Sequence, residues 1–149
     1  MVSETSTKRI SVVDSDVYAI SKICGRLLDE VRAKDFDSDE IFAIHLALEE
    51  AILNALKHGN KFDPKKTVDI DYQITDEKCD IAVADEGEGF SPDSLPDPRT
   101  EENLYKPCGR GVLLMRSYMD VVEFNEPGNR VHMIKYKNTG NVPKVVGKN

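Results

Sequence analysis

The spacing of apolar residues changes along this chain from that of a strand to that of a helix and back, which restricts the folds available to it. Helical spacing runs from Ile20 to Val31, from Ile41 to Ala55, and through residues 111–119. Five shorter segments have strand character: residues 9–13, 67–74, 79–84, 120–125 and 130–137. This order predicts an α/β two-layer sandwich, in which a mixed, mainly antiparallel sheet carries the helices on one face.

The length and composition of the chain fit one globular domain. At 149 residues it is long enough to bury a core, and we expect residues 1–137 to form a single domain followed by a flexible tail at 138–149. Hydrophobic residues make up 40% and charged residues 32%, which is typical of a soluble fold. The formal net charge of -7 argues against direct binding to nucleic acid, since phosphate backbones attract basic surfaces.

The sequence lacks the signs of a membrane segment, a secretory signal or a cysteine framework. No apolar run approaches the roughly 20 residues that span a bilayer, and the N-terminus lacks the apolar core of a signal peptide. The three cysteines are odd in number and widely spaced, which suits a reducing cytoplasm rather than disulfides. Cysteines and histidines are also too scattered to predict a metal site built from protein ligands alone: Cys24, Cys79, Cys108, His45, His58 and His132.

The second predicted helix carries a stripe of polar side chains at intervals of four residues. We expect this helix to begin with Ser38 as its N-cap and to end at Gly59 in the left-handed conformation. Glu50, Asn54 and His58 then lie on one slowly drifting line, away from the apolar face. A carboxamide can hold a hard cation while a neighbouring carboxylate takes a proton, although such residues are also common on the solvated flank of a helix.

A second polar segment follows the predicted strand 79–84. Asp85 ends this strand, and Gly87 and Gly89 alternate with acidic residues after it. The glycines permit close approach of the backbone to a ligand, and the aspartate can accept a hydrogen bond from an exocyclic amine such as that of adenine. Because two glutamates would repel phosphates, a nucleotide should meet this loop with its base. The same residue types are also common in turns.

A third segment, residues 108–115, opens a predicted helix after a proline-rich stretch whose length is more often functional than accidental. Gly109 and Gly111 precede the helix, so unpaired N–H groups and the positive end of the helix dipole are available to an anion. Lys106 or Arg110 can add positive charge. The segment lacks the GK[ST] ending of a Walker loop and the incoming strand of a Rossmann fingerprint, and an ordinary helix start is the alternative.

In order and spacing, these three segments resemble the N, G1 and G2 boxes of the GHKL-type (Bergerat) ATP-binding fold, which DNA gyrases, sensor histidine kinases and anti-sigma-factor serine kinases share. The resemblance covers about residues 38–136. Within that superfamily, the stretches EEAILNALKHGN (49–60) and CGRGVLLMRSYMDVVEF (108–124) are most similar to the small anti-sigma regulatory kinases of bacterial partner-switching systems. Val112 stands where leucine is frequent in the family, and Cys108 where a small polar residue is common.

The resemblance implies a site for ATP and Mg²⁺ in which each box has a role. Asn54 would ligate the Mg²⁺ that bridges the ATP phosphates, Glu50 would take the proton from an attacking serine hydroxyl, and Asp85 would bind the adenine amino group. For His58 a phosphate contact and support of the helix end both stay open, the second being favoured. The other implied contacts are an approach to the base at Gly87 and Gly89, a lid at residues 90–108, phosphate-binding amides at Gly109 and Gly111, and charge from Lys106 or Arg110.

The same resemblance implies a serine/threonine protein kinase that phosphorylates a STAS-type anti-anti-sigma protein and sequesters a sigma factor, with a homodimer as a further expectation. The alternative is a nucleotide-dependent binding module that sequesters a regulator without phosphorylating it, and Glu50 favours the enzyme. The ATPase domain of a histidine-kinase system is disfavoured, because too few residues precede the second helix for a phosphoacceptor hairpin. A similar fold without a nucleotide is the remaining alternative.

Overall fold

The computed structural model describes residues 7–12, 17–61, 63, 65–87 and 107–138. These residues form five strands and three α-helices: β1 (Lys8–Val12), α1 (Val17–Ala33), α2 (Ser38–Asn54), β2 (Val68–Ile74), β3 (Lys78–Ala84), α3 (Pro107–Tyr118), β4 (Val121–Phe124) and β5 (Arg130–Tyr136). The order of elements predicted from apolar spacing is therefore confirmed. In the described ranges, no helix combines the length and the apolar character needed to cross a bilayer.

Some of the predicted features lie outside the described residues. They are Gly89, Lys106, the lid apart from its last two positions, and the tail from residue 139 onward. The proposed division of the chain at residue 137 likewise stays a prediction.

The five strands form one sheet in the order β1-β2-β3-β5-β4, and every neighbouring pair is antiparallel. Two short turns, between β2 and β3 and between β4 and β5, account for much of this pattern, since a tight turn joins antiparallel neighbours. The described part of the sheet is thus antiparallel throughout rather than mixed. In β2, buried Val68, Ile70, Tyr72 and Ile74 alternate with more exposed residues, so one face of the sheet is covered and the other is open.

The helices form the second layer of the predicted sandwich. α2 is central in this layer, because it packs against both α1 and α3 and also contacts β3 and β5. Ile44, Leu48 and Ile52 are fully buried, since their spacing of four places them on one side of α2. Glu50 and Asn54 lie beside this apolar seam and are half-buried.

The N-terminus of α2 is capped one residue earlier than the sequence pattern predicted. The N-cap is Asp37 and not Ser38: the Asp37 Oδ1 accepts the Glu40 N–H at 2.7 Å, and the Glu40 Oε1 accepts the Asp37 N–H at 2.8 Å. This capping box satisfies two N–H groups that a helix start leaves unpaired. An acidic cap with a glutamate three residues later was the signal in the sequence.

The C-terminal end of α2 also differs from the prediction. Residues Ala55–Gly59 continue the helix as one π-helical turn, in which the Asn60 N–H donates to the Ala55 carbonyl at 2.8 Å. The expectation of a left-handed Gly59 is wrong, and the positive φ falls on Lys61 at 53°. Position 59 needs glycine for space instead, because a Cβ there would lie 2.2 Å from the Asp85 Cγ.

The prediction that Gly109 and Gly111 precede the third helix is wrong as well. α3 begins at Pro107, which suits the first helical position because proline has no N–H to leave unpaired and its φ is helical. Gly109 therefore lies in the first turn of α3, where N–H groups lack partners within the helix. Gly111 lies in the next turn, where its missing side chain decides how closely α3 approaches α2.

Candidate active site

A small, partly open cleft lies between α2, α3 and the adjoining ends of β3 and β5. Its lining is mostly apolar, and the polar residues that contribute to it are Asn54, Asp85, Asn129 and Arg130. Small-molecule sites commonly combine an apolar lining with a few polar groups in this way. The cleft brings Asn54 and Asp85 together, although they belong to separate segments of the sequence.

Glu50 and Asn54 converge where α3 crosses α2. A Cβ added to Gly111 would lie 2.9 Å from the Glu50 Oε1 and 3.0 Å from the Asn54 Nδ2, so both side chains rest against this glycine. Gly111 is buried, and a larger residue there would either push the helices apart or displace the two polar groups. The first two members of the polar stripe therefore face α3 and do not simply face solvent.

The environment of Glu50 suits a group that exchanges a proton. Burial raises the pKa of its carboxyl above the usual value, with a further rise from the charge of Glu49 and an opposing effect from Lys57. A carboxylate with a raised pKa is a stronger base and takes up a proton closer to neutral pH. The nearby Asn54 offers an amide oxygen, which is the kind of hard donor that Mg²⁺ prefers.

Asp85 is held between two glycines at the end of β3. A Cβ on Gly59 would overlap its carboxylate, and one on Gly87 would lie 2.2 Å from the Gly59 carbonyl oxygen. Burial raises the pKa of Asp85, against the opposing effects of a 2.7 Å hydrogen bond from the Gly87 N–H and of the charge on Lys66. Because a carboxylate has about four acceptor sites, Asp85 retains capacity for a donor on a ligand in the cleft.

Asn60, which sequence reasoning did not single out, fixes the geometry beside Asp85. Its side chain is 2% exposed, donates from Nδ2 to the Thr67 carbonyl at 2.9 Å and accepts the Glu86 N–H on Oδ1 at 2.8 Å. The Glu86 carboxylate in turn accepts the Thr67 N–H at 2.6 Å and the Thr67 hydroxyl at 2.9 Å. These bonds connect the end of α2 to residues 85–87. An asparagine directly after the helix-ending glycine was the only signal in the sequence.

The turn between β4 and β5 supports the same segment from the other side. The Asn129 carbonyl accepts the Asp85 N–H at 2.9 Å, and the Asn129 Nδ2 donates to the Gly87 carbonyl at 3.3 Å. Gly128 has a φ of 82°, which only glycine adopts readily, so the turn at this point depends on it. The sequence predicted the turn but not this contact, which exists because β3 and β5 are neighbours in the sheet.

For the remaining predicted residues, the structure describes the side chain of His58 but only the backbones of Gly109 and Arg110. His58 is an exposed residue of the π-helical turn, and partial burial lowers its pKa, with a further lowering from Lys57. The neutral imidazole is thus favoured, which weakens the support of the helix end that a charged histidine would give through the helix dipole. The backbones of Gly109 and Arg110 belong to the first turn of α3, and their contacts with a ligand stay predictions.

The antiparallel sheet, the helix layer and the cleft between Asn54 and Asp85 define a nucleotide-binding domain of the histidine kinase-like ATPase type. Residues 13–135 match the sequence model of the histidine kinase-like ATPase domain, and the chain belongs to that family. Use of a nucleotide follows from this membership, and the α+β architecture is the one that the resemblance implied.

Three relatives show which members of this ATPase family the chain resembles in sequence. Serine-protein kinase RsbW of Bacillus subtilis is 33% identical over 107 residues, which are 67% of each chain. Anti-sigma F factor of Clostridium perfringens is 32% identical over 108 residues, 68% of this chain and 76% of the relative. Serine-protein kinase RsbW of Staphylococcus epidermidis is 31% identical over 106 residues, 66% of this chain and 67% of the relative. The resemblance to anti-sigma-factor serine kinases is therefore confirmed.

Proposed function

We propose that this chain is an ATP- and Mg²⁺-dependent serine/threonine protein kinase that also acts as an anti-sigma factor. The observation that carries the proposal is the convergence of Glu50 and Asn54 on Gly111, beside a cleft that Asp85 lines. A module that only binds a nucleotide requires the cleft and Asp85. It does not require a half-buried carboxylate, Glu50, next to the amide of Asn54. The names of the relatives, serine-protein kinase and anti-sigma factor, support the same function.

In the proposed reaction, ATP lies in the cleft with its adenine amino group on Asp85 and its phosphates toward Glu50 and Asn54. The Asn54 amide oxygen holds Mg²⁺, which when bound neutralises charge on the phosphates. Glu50 accepts the proton of the attacking hydroxyl, whose oxygen bonds to the γ-phosphorus as the bond from that phosphorus to ADP breaks. The products are a phosphorylated side chain, ADP and a protonated Glu50.

The other predicted residues complete this arrangement. Gly87 and Gly89 let the backbone approach the base, and the first turns of α3, with Gly109 and Gly111, turn the positive end of a helix dipole toward the phosphates. Further positive charge comes from Lys106 or Arg110. We keep His58 as support of the α2 end, although its lowered pKa reduces the positive charge that it brings there.

The names of the relatives support a sigma factor as one partner, and the family resemblance implies the other partner and the dimer. The phosphate acceptor is a serine or threonine of a STAS-type anti-anti-sigma protein, and the second partner is a sigma factor. Relatives named for kinase activity and for anti-sigma activity support one protein with both interactions. We place this protein in the cytoplasm and include a homodimer in the proposal.

Transfer of labelled phosphate from ATP to candidate STAS proteins tests the function. We expect Glu50→Gln to bind Mg²⁺-ATP but to lose about 10²- to 10⁴-fold in transfer rate, the usual contribution of a general base. Asn54→Ala should lose the tightening of ATP binding by Mg²⁺. Asp39→Asn, which removes one exposed acid from the first turn of α2, is the matched control and should behave as wild type.

Two results would change the assignment. An unchanged transfer rate in Glu50→Gln refutes the role of Glu50 as base. If the wild type binds ATP and a sigma factor but phosphorylates no STAS protein, the protein is a nucleotide-dependent binding module and the kinase proposal fails.

A further inference from the structure

Three side chains with metal-binding atoms meet where α1 packs on α2. A ligand atom from each of Cys24, His45 and Glu49 lies within 4.8 Å of the other two. None of the three residues lines the cleft that holds Asn54 and Asp85. We propose that these three side chains form a binding site for Zn²⁺, separate from the nucleotide site.

The packing of the two helices explains why the three groups meet. His45 and Glu49 are one turn apart on α2 and project from the same side, with the His45 Nε2 3.2 Å from the Glu49 Oε2. Cys24 belongs to α1 and is 1% exposed, whereas the side chains of His45 and Glu49 are 46% and 41% exposed. The thiol therefore lies on the protein side of the cluster, and an ion can reach the site from solvent past the imidazole and the carboxylate.

The distances suit the short bonds of zinc. Bonds of about 2.3 Å to sulfur and about 2.0–2.2 Å to nitrogen or oxygen place the ligand atoms of a tetrahedral ion roughly 3.3–3.6 Å apart. The His45–Glu49 separation of 3.2 Å is already close to this value, and because the three ligand atoms lie within 4.8 Å of one another, the side chains need to close by at most about 1.5 Å. Three protein ligands leave a fourth position for water.

The chemistry of the donors selects the metal. A thiolate, an imidazole and a carboxylate together favour Zn²⁺, whereas Mg²⁺ takes oxygen ligands and keeps several waters. The Mg²⁺ supplied with ATP is therefore a weak competitor here. A histidine and a glutamate at this spacing are common on helix surfaces as a simple ion pair, but that explanation does not involve the buried thiol beside them.

Binding releases one proton. Burial and the charge of Glu49 raise the pKa of the Cys24 thiol to about 12, so the thiol is protonated before the metal arrives. Zn²⁺ forms a bond to the sulfur as the S–H bond breaks, and the proton passes to solvent. Neither an oxidant nor a reductant takes part.

Titration of the metal-free 149-residue chain with Co²⁺ and then Zn²⁺, under a non-thiol reductant, tests the site. We expect one Co²⁺ per chain with a thiolate charge-transfer absorption band, displaced by Zn²⁺ and absent in Cys24→Ser. His45→Gln and Glu49→Gln should each weaken Zn²⁺ binding at least about tenfold, since loss of even an outer partner of a metal ligand costs 10- to 100-fold. Zn²⁺ should also raise the Tm of the wild type and not that of Cys24→Ser.

Two variants at other positions serve as controls. His132, which hydrogen-bonds Asp80, alternates with the buried residues of β5 and so belongs to the open face of the sheet, and Cys108 belongs to α3. His132→Gln and Cys108→Ser should bind Zn²⁺ as the wild type does. The proposal is overturned by the absence of the cobalt band, by a band that survives in Cys24→Ser, or by wild-type affinity in both His45→Gln and Glu49→Gln. If Cys24→Ser fails to fold, those two variants at partly exposed positions decide the question, independently of any kinase activity.

Discussion

Gly111→Ala is predicted to leave stability intact or raise it while lowering activity. Gly111 lies within α3, where alanine is the better helix former by about 1 kcal/mol. The new Cβ would lie 2.9 Å from the Glu50 Oε1 and 3.0 Å from the Asn54 Nδ2, against an ordinary contact of 3.4–4 Å. Both atoms are ends of flexible side chains and can move aside. We therefore expect the free energy of unfolding to stay the same or to rise by up to about 1 kcal/mol.

The same methyl group displaces the two residues that we propose act on the phosphate. To reach 3.4 Å, the Glu50 Oε1 and the Asn54 Nδ2 must each retreat by about half an ångström from 2.9 Å and 3.0 Å. A displacement of 1 Å in a catalytic geometry costs on the order of 10²-fold in rate, so half that distance should cost roughly tenfold. The proposed adenine contact at Asp85 is not disturbed, so the transfer rate should fall more than the affinity for ADP.

Urea denaturation and single-turnover phosphate transfer measure the two effects. Gly25→Ala is the matched control, because Gly25 also lies within a helix, α1, and a Cβ there would meet nothing within 4 Å. We expect this control to gain stability without a change in transfer rate. If Gly111→Ala folds stably and transfers phosphate at the wild-type rate, then Glu50 and Asn54 do not act from the positions that this glycine permits.

Two further predictions concern stability. Asn60→Ala removes two hydrogen bonds of a buried side chain and leaves the Thr67 carbonyl and the Glu86 N–H without that partner. Urea denaturation should therefore show that the free energy of unfolding falls by about 2 kcal/mol. A loss near zero would contradict the bonding described. Hydrogen bonds of 2.6 Å and 3.0 Å from Arg9 lower the pKa of Asp71 below its ordinary 3.8, and such a carboxylate stabilises the fold only while it is charged. Arg9→Gln should therefore be less stable than wild type near neutral pH. The difference in free energy of unfolding should disappear as the pH falls below 3.8 through the folded-state pKa of Asp71. A difference that does not vary with pH would disprove this.

The fold was largely predictable because each element carries its own apolar period. Errors are concentrated at the ends of helices, where the outcome depends on side chains and on neighbouring elements. Asp37 caps α2 in place of Ser38, since it can exchange hydrogen bonds with a glutamate three residues on. Gly59 resembled a left-handed terminator, yet the residue is needed because Asp85 of a distant strand end occupies the space of its Cβ.

The sequence by itself determined the order of strands and helices and the three polar segments, because both depend on spacing between near neighbours in the chain. Only the tertiary structure decided which segments meet. The contact of Gly111 with Glu50, the hydrogen bond between Asn60 and Glu86 and the approach of Cys24 to His45 each join residues that are far apart in sequence. Such distances depend on how helices cross and which strands are neighbours, and no local pattern of residues records them.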